Sequence, residues 1–454
     1  MRTVLSHTRV APNAGAAPGS RAQIPLTRRA FVAGAAGLAL LAFAPSLAGC
    51  STEKNIVMDD PKSAGADKQL SFFGFKYEPL NVSAIEEILH GYMDEHPGTS
   101  IVYEGIKSRP YFEALKKRLA AGQGDDVFMV DHDTALAFGE AGYLADLGGL
   151  DTIPSFSDLA LGQMRSEGTI NYVPTSISAF GLYCNTTLLA EHGVAVPRSL
   201  PEFERACQTF AAQGIVPLVA NNDISFKTLA LARGLAGVYA GGNAEARIEE
   251  FNADPAALAA ALRSGFDAVE RIVAHGWVDA PLALQTEKTA DDLDQFATGA
   301  QPFMLTGAWA SVRLHDLAPD LDYEVHPYPI LDDGPALVVN VDTRVSVNAN
   351  GAHLAEALDF VSYLTRPESI GRFANSQCSF SPLKGNAAPD DKALAPLSAS
   401  FSTGNAVIGS DDNLRFPIWD AVRRCTASLL EGATAAEAES QLLALLAEGG
   451  DAAV

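Results

Sequence analysis

A regular alternation of strand and helix patterns near the start of the folded part constrains this chain more than any other feature. Short apolar segments predict strands over Gln69–Phe75, Ser100–Gly105 and Asp126–Val130. Between them, apolar residues at helical spacing predict helices over 83–95, with Ser83 as its N-cap, and over 111–121. Such a series is typical of a parallel sheet with helices on its faces. The sequence therefore predicts the α/β fold class.

Further along the chain, strand patterns are interrupted by short polar segments. Strands are predicted over Gly168–Pro174 and Ala179–Asn185, on either side of residues 175–178. In the same way, Leu337–Val341 and Val345–Val347 are predicted as separate strands. Helix patterns dominate after them. The sequence thus favours an α/β chain with more than one layer.

The N-terminus has the order of features that is typical of a bacterial export signal. Arg28 and Arg29 precede an apolar stretch, Phe31–Ala44, which is too short for a transmembrane helix. The arginine pair resembles a twin-arginine signal, although the general secretory route stays open. Leu47–Cys50 resembles a lipobox, in which the cysteine is lipidated and becomes the new N-terminus; the alternative is an ordinary signal peptide with a chance cysteine. We predict a signal peptide over 1–49, lipidation of Cys50, and a flexible tether over 50–68.

The charge of the chain excludes one class of partner. The formal net charge is −23, and the N-terminal segment up to residue 49 contains only basic charged residues. A strongly acidic surface repels nucleic acid and anionic membrane surfaces. We therefore expect no nucleic-acid partner and a ligand that is neutral or cationic, although excess acid also serves solubility.

Residues that could carry catalysis or bind a metal form no convincing set. The sequence contains no G-x-S-x-G, H-E-x-x-H, phosphate-binding or dinucleotide-binding motif. Asp131-His132-Asp133 follows a predicted strand, where ligand contact or helix capping is favoured over a metal site. The acid pair Asp411-Asp412 is predicted to begin a helix. We expect no enzyme activity, no cofactor and no metal.

The cysteines do not form a disulfide framework. None lies in a C-x-x-C pair, and no Cys/His cluster has zinc spacing. If Cys50 is lipidated, one or two bridges remain open among the other four: Cys184, Cys207, Cys378 and Cys425.

Three segments carry a resemblance to a known family. The first, 171–203, reads NYVPTSISAFGLYCNTTLLAEHGVAVPRSLPEF. It resembles a signature of the extracellular solute-binding proteins of carbohydrate ABC importers, of the maltose-binding type (family 1). The matching residues are Pro174, Tyr183, Asn185, Gly193, Pro197, Pro201, Glu202 and Phe203. The usual Tyr-Asn pair is Cys184-Asn185 here, with Tyr183 one residue earlier.

Two later segments extend the resemblance in the same order along the chain. Residues 294–310 resemble a family segment with Phe, Gly, Met, Gly and Trp in this order, whose aromatic residue commonly faces the cleft. The matches are Phe296, Gly299, Met304, Gly307 and Trp309. Residues 350–369 resemble the helix pair that follows the last crossover in that family. Together with the lipobox and the opening strand, these segments extend the resemblance over most of the chain.

The resemblance implies a two-lobed periplasmic-binding-protein-like fold (type II) with a ligand cleft between the lobes. Lobe one would hold 69–176 and 344–379, and lobe two 179–340 and 381–450. The crossovers would lie near Thr175–Ala179, Asn340–Arg344 and Ser379–Pro382. A ligand that contacts both lobes favours the closed form, which the permeases would recognise.

Carbohydrate ligands present apolar ring faces and hydroxyl rims, which suit aromatic and polar side chains respectively. The candidate ligand-binding residues lie at predicted strand ends and crossovers: Phe75, Lys76, Tyr77, Asp131, Thr175, Ser176, Asn221, Trp309, Asp342, Arg344, Ser381 and Trp419. Structural roles compete for several of them. Phe75, Trp309 and Trp419 could be packing residues, and Asp342 could pair with Arg344.

The resemblance also implies partners and a location. We expect a carbohydrate ligand, ABC importer permease subunits, a monomeric state, and attachment to the extracytoplasmic face of the cell membrane through the lipid. A polyol or small-peptide ligand, an extracellular carbohydrate-active enzyme, and an adhesin or sensor lipoprotein remain alternatives.

Overall fold

The computed structural model describes residues 56–58, 66–166, 168–404 and 406–451. The predicted signal peptide, 1–49, and the lipidation site, Cys50, lie outside these residues. Of the predicted tether, 50–68, the described part includes a short strand, Ile56–Met58, paired antiparallel with Thr99–Gly105. None of the described helices is both long and apolar enough to cross a membrane.

The strands of the described residues form one long mixed sheet and a separate two-stranded ribbon. Their bounds are β1 Ile56–Met58, β2 Lys68–Gly74, β3 Thr99–Gly105, β4 Val127–Val130, β5 Arg165–Ser166, β6 Thr169–Ile170, β7 Val173–Asn185, β8 Leu218–Val219, β9 Phe303–Gly307, β10 Tyr323–His326, β11 Leu337–Val347 and β12 Ala406–Ile408. The sheet order is β1-β3-β2-β4-β11-β7-β9-β8, with β10 on β7 and β12 on β11, while β5 and β6 form the ribbon.

The two lobes share this sheet through β7 and β11, which run antiparallel to each other along most of their length. One end of β11, Arg344–Val347, pairs with β4 of the first lobe, and its other end pairs with β12. Likewise, one end of β7 pairs with β9 and β10 of the second lobe. The fold is therefore α/β and two-lobed, as the sequence predicts.

The predicted interruptions of these two strands are wrong. Each is continuous, and every residue of Val173–Asn185 is buried. Ser176, Ile177 and Ser178 remain in the strand because they pair with β11 instead of turning away. A local irregularity does occur at Thr343, where φ is +44°, a left-handed conformation that is unusual for a β-branched residue.

Helices cover both faces of the sheet in each lobe. They are α1 Pro79–Glu95, α2 Ser108–Ala120, α3 His132–Glu140, α4 Asp158–Met164, α5 Thr186–Glu191, α6 Leu200–Ala211, α7 Ser225–Ala240, α8 Ala244–Ala253, α9 Pro255–Ala274, α10 Ala280–Gln285, α11 Asp291–Ala297, α12 Ala310–Leu317, α13 Leu354–Leu364, α14 Pro367–Ser376, α15 Ala395–Phe401, α16 Ile418–Leu430 and α17 Ala435–Asp451. Short 3-10 turns lie at Ile153–Ser155 and Lys392–Leu394.

Two helix starts differ from the prediction. The first helix begins at Pro79, which suits the first helical position because its missing N–H needs no partner, so Ser83 lies inside the helix and is not its cap. The last pair of helices begins at Ile418, well after Asp411-Asp412. In both cases, a polar residue close to the start of the helix does not act as its N-cap.

Large apolar side chains form two extensive cores. One includes Phe73, Tyr103, Phe128 and Phe360 of the first lobe and continues under one face of the second; the other fills the opposite face of the second lobe between α7, α9, α16 and α17. Gly265 lets α7 and α9 approach closely, since a Cβ there would lie 2.2 Å from the Ala230 carbonyl oxygen. Cys184, Cys207, Cys378 and Cys425 are free and buried.

Candidate functional site

A cleft of about 370 Å³ lies between the lobes. One wall comes from the segment between β2 and α1, from the start of α3 and from the end of α14. The facing wall comes from β7, from Trp309 and the helix α12 that follows it, and from the start of α16. Strand β11 contributes Asn340, Asp342 and Arg344 to the floor. Chain segments far apart in sequence thus converge on one concave surface, which is typical of small-molecule sites.

Eight of the twelve candidate ligand residues line this cleft: Phe75, Lys76, Tyr77, Asp131, Trp309, Asp342, Arg344 and Trp419. They come from both walls and from the floor. Their contact with a ligand stays a prediction, but the fold brings them together as a binding site requires.

The remaining four candidates are buried away from the cleft lining: Thr175, Ser176, Asn221 and Ser381. The Thr175 hydroxyl donates to the Thr343 carbonyl at 2.9 Å, and Ser176 contacts the Thr343 hydroxyl. The Asn221 amide donates to the buried Asp292 carboxylate at 2.8 Å. These side chains form internal hydrogen bonds and lie outside the cleft lining, so in this conformation they have structural partners and no face toward a ligand.

An aromatic wall forms around Phe180 on β7. The Trp309 ring meets Phe180 edge-on with centroids 5.4 Å apart, and the Trp419 ring lies at 5.6 Å. Both tryptophans are half-buried. Gly307 makes room for this arrangement, because a Cβ there would come within 2.2 Å of the Trp309 ring. Phe180, which no motif singled out, therefore holds two rings at the cleft surface.

Charged pairs connect the two sides of the cleft near its rim. Arg313 on α12 donates to the Glu78 carboxylate at 2.7 Å and to the Tyr77 hydroxyl at 3.2 Å. Lys107 lies 3.4 Å from Glu287. The sequence alone does not reveal these pairs, because each joins positions about 180 residues or more apart.

The carboxylate of Asp342 on the floor interacts electrostatically with the ammonium group of Lys76 on the wall. The Ser178 hydroxyl donates to Asp342 at 2.7 Å. Burial opposes ionisation of Asp342, but the charge of Lys76, the hydrogen bond from Ser178 and the charge of Arg344 together hold the pKa of this carboxyl below its usual value. Desolvation in the cleft lowers the pKa of Lys76, although Asp342 favours its charged form.

The sequence leaves open a pair between Asp342 and Arg344, but Arg344 forms its hydrogen bonds with another carboxylate. Its guanidinium instead forms a two-pronged pair with Asp412, with N–O distances of 2.9–3.2 Å. Asp412 also contacts His132 at 2.7 Å and accepts from the Tyr172 hydroxyl. Burial opposes protonation of His132, but the hydrogen bond and charge of Asp412, together with the charge of Asp133, raise the pKa of the imidazole. This buried network ties α3, β11 and the segment before α16 together under the cleft.

The Asp131-His132-Asp133 triplet acts mainly as a helix start. Asp131 is the N-cap of α3, and Asp131 and Thr134 form a reciprocal capping box, which confirms the capping interpretation. Burial raises the pKa of Asp133 to about 6, and its Oδ1 atom has no hydrogen-bond partner. Within the described ranges, no three His, Cys, Asp or Glu side chains are arranged to hold a metal ion.

Comparisons with known proteins agree with this architecture. An uncharacterised lipoprotein of Streptomyces antibioticus, from the oleD 5′ region, is 25% identical over 82% of this chain and 80% of its own length. A maltotriose-binding protein of Pyrococcus abyssi is 24% identical over 65% of this chain, which spans 63% of that relative's length. The structure of the solute-binding protein RafE with raffinose has the same fold, with a TM-score of 0.67, 20% identity, and coverage of 84% of this chain and 99% of that one.

The family assignment rests on the sequence itself. The sequence pattern of the family described as bacterial extracellular solute-binding protein matches residues 78–370, which is more than half of the chain. This range includes both long strands that the lobes share and most of the cleft lining. The protein is therefore a member of the bacterial extracellular solute-binding protein family.

Proposed function

We propose that this protein captures a sugar or oligosaccharide outside the cytoplasm and delivers it to the permease of an ABC importer. The observation that carries the proposal is the pair of half-buried tryptophan rings, Trp309 and Trp419, held at the cleft surface by Phe180. Relatives named for maltotriose and raffinose binding support the ligand class.

The cleft offers the two kinds of contact that a sugar needs. Indole faces suit the apolar C–H faces of a pyranose ring. Around them, Lys76, Asp131 and Asp342 present charged hydrogen-bonding groups that suit hydroxyl rims. Polar and apolar groups on both walls would be engaged together only when the lobes close on a ligand.

The proposed lobes keep the boundaries that the sequence suggests: 69–176 with 344–379, and 179–340 with 381–450. The third crossover would lie at Ser379–Pro382, beside Cys378, where φ is +46°. Isolated left-handed residues at Thr343 and Cys378 are consistent with bends at these positions.

Attachment through Cys50 to the extracytoplasmic face of the membrane is part of the proposal. Its support is the lipobox-like sequence and the Streptomyces relative that is itself called a lipoprotein. A Cys50→Ala variant should be released from the membrane fraction, and the wild type should incorporate a labelled fatty acid. Equal membrane retention of both proteins would contradict the anchor.

Tryptophan fluorescence provides the test of ligand binding, because two of the three tryptophans line the cleft. Titration with maltotriose and with raffinose should change the emission of the wild type, and calorimetry should give the affinity. Trp277→Phe is the matched control, since Trp277 is only 2% exposed and lies in the second lobe's core. Loss of the response in this control would place the signal outside the cleft.

We propose binding without turnover, because the family whose pattern matches residues 78–370 is one of solute-binding proteins. Prolonged incubation with the same two sugars should return them intact, as measured by chromatography. Release of monosaccharides that scales with protein concentration would replace the binding proposal with an enzyme.

A further inference from the structure

A lysine that the cleft lining does not include packs directly behind one of its tryptophans. The Lys227 ammonium, on α7, lies 3.8 Å from the centroid of the Trp419 ring, in the geometry of a cation–π contact. Its side chain is 1% exposed. Burying a lysine ammonium among the mostly apolar buried residues of α7 is energetically costly unless the charge has a partner.

The charge of Lys227 is balanced by one carboxylate. Asp223, four residues earlier and just before α7, accepts from the Lys227 ammonium at 2.9 Å and also pairs with Lys288. Lys288 lines the cleft, whereas Lys227 does not. Asp223 therefore pairs with two lysines. Lys227 lies against the ring of Trp419, and Lys288 lines the cleft.

We propose that Lys227 is a positioning residue that fixes Trp419 as a platform for the ligand. This inference rests on the proposed function, since it concerns the same cleft. Trp419 packs against Phe180 in a tilted arrangement, at a centroid distance of 5.6 Å, and Lys227 lies over its ring. A ring held in this way loses little conformational entropy when a ligand stacks on it.

The protonation state of Lys227 adds a testable property to this geometry. Burial lowers the pKa of Lys227 to about 8, with Asp223 and Asp133 favouring the charged form and Lys288 opposing it. Above that pH the ammonium loses its charge, and the cation–π contact is lost with it. Ligand affinity should therefore fall as the pH rises through about 8.

Two variants separate the positioning role from a structural one. In Lys227→Met, Asp223 keeps Lys288 as its partner, so no isolated charge is left buried. Its affinity for maltotriose or raffinose at pH 7 should fall by about tenfold while its melting temperature is retained. Lys227→Arg, whose charge does not titrate in this range, should restore binding and remove the fall near pH 8.

Unchanged affinity in Lys227→Met would overturn the inference, and so would an identical pH profile in the wild type and Lys227→Arg. Lys76, which also lies in the cleft with a lowered pKa, is present in both proteins and cannot account for a difference between them.

A ligand-free measurement distinguishes this inference from the proposed function. In a Trp277→Phe/Trp309→Phe background, Trp419 is the remaining tryptophan, and its emission responds to a charge placed against the ring. A pH titration should show an inflection near 8 that Lys227→Arg removes, and absence of that difference overturns the inference. If the inflection occurs but the wild type binds neither sugar, the proposed function fails instead.

Discussion

Two clusters of charged side chains near the cleft contain the same kinds of ion pair, but their partners are placed differently. In the crossover cluster, formed by His132, Arg344 and Asp412, the partners come from three segments far apart in sequence. Their side chains are 2%, 3% and 6% exposed. With so little contact with water, each charge depends on the others for its hydrogen bonds, and the cluster holds the polypeptide together beneath the cleft.

The wall cluster, formed by Asp223, Lys227 and Lys288, is built within one lobe. Asp223 and Lys227 are four residues apart, and the side chains of Asp223 and Lys288 are 24% and 35% exposed. This cluster supports a ring at the cleft surface and keeps one cation in contact with the cleft. The two clusters therefore share residue types but differ in how far apart in sequence their partners lie and in how exposed the partners are.

Breaking the crossover cluster should produce the largest change in stability. Arg344→Met would leave the Asp412 carboxylate buried without its guanidinium partner, so the free energy of unfolding should fall by about 3–5 kcal/mol. Urea unfolding followed by circular dichroism measures this value. Lys227→Met is the matched control in the wall cluster. A larger loss in the control than in Arg344→Met would reverse the comparison.

Removing a ring from the aromatic wall should affect binding more than stability. Trp309→Ala should weaken binding of maltotriose or raffinose by about 2–4 kcal/mol, because a half-buried aromatic anchor is a typical hot spot. Calorimetry measures the affinity, and the unfolding midpoint reports the fold. Unchanged affinity would mean that Trp309 is a packing residue of the second lobe.

The parts of the fold that depend on local patterns could be predicted from the sequence. The opening strands were expected at Gln69–Phe75 and Ser100–Gly105 and lie at Lys68–Gly74 and Thr99–Gly105. Their apolar periodicity is a property of neighbouring residues, so one sequence reveals it. The aromatic candidate Trp309 was likewise identified from a local motif, and it lines the cleft.

Features that depend on distant partners could not be predicted in this way. Residues 175–178 were expected to interrupt a strand, but pairing with β11 keeps them in the sheet. Asp411 was expected at a helix start, yet it is buried and accepts hydrogen bonds from Gln163 and Tyr239, at positions about 170 to 250 residues away. A local pattern contains no information on which remote side chain will satisfy a polar group.

A pH series on His132 would sharpen the account of the crossover cluster. The folded protein raises the pKa of His132 above its ordinary value of about 6.5. The stabilisation is therefore fully present below about pH 6.5 and is lost as the pH rises through the higher folded value. His132→Gln should lower the free energy of unfolding by roughly 1.5–2 kcal/mol at pH 5.5, with a smaller difference at pH 9. A pH-independent difference would show that the ring contributes by packing alone.

The smallest expected effect concerns Asp131. This residue has a structural role as the N-cap of α3, and it also lines the cleft. Asp131→Ala should cost about 1 kcal/mol of stability, whereas Asp131→Asn keeps an equivalent cap and should cost little. The asparagine variant therefore isolates the charge from the cap. If Asp131 contacts the sugar as an ionised acceptor, Asp131→Asn weakens binding of maltotriose or raffinose at unchanged stability. If affinity is unchanged in Asp131→Asn, the carboxylate serves the helix and belongs with the structural residues of the neighbouring crossover cluster.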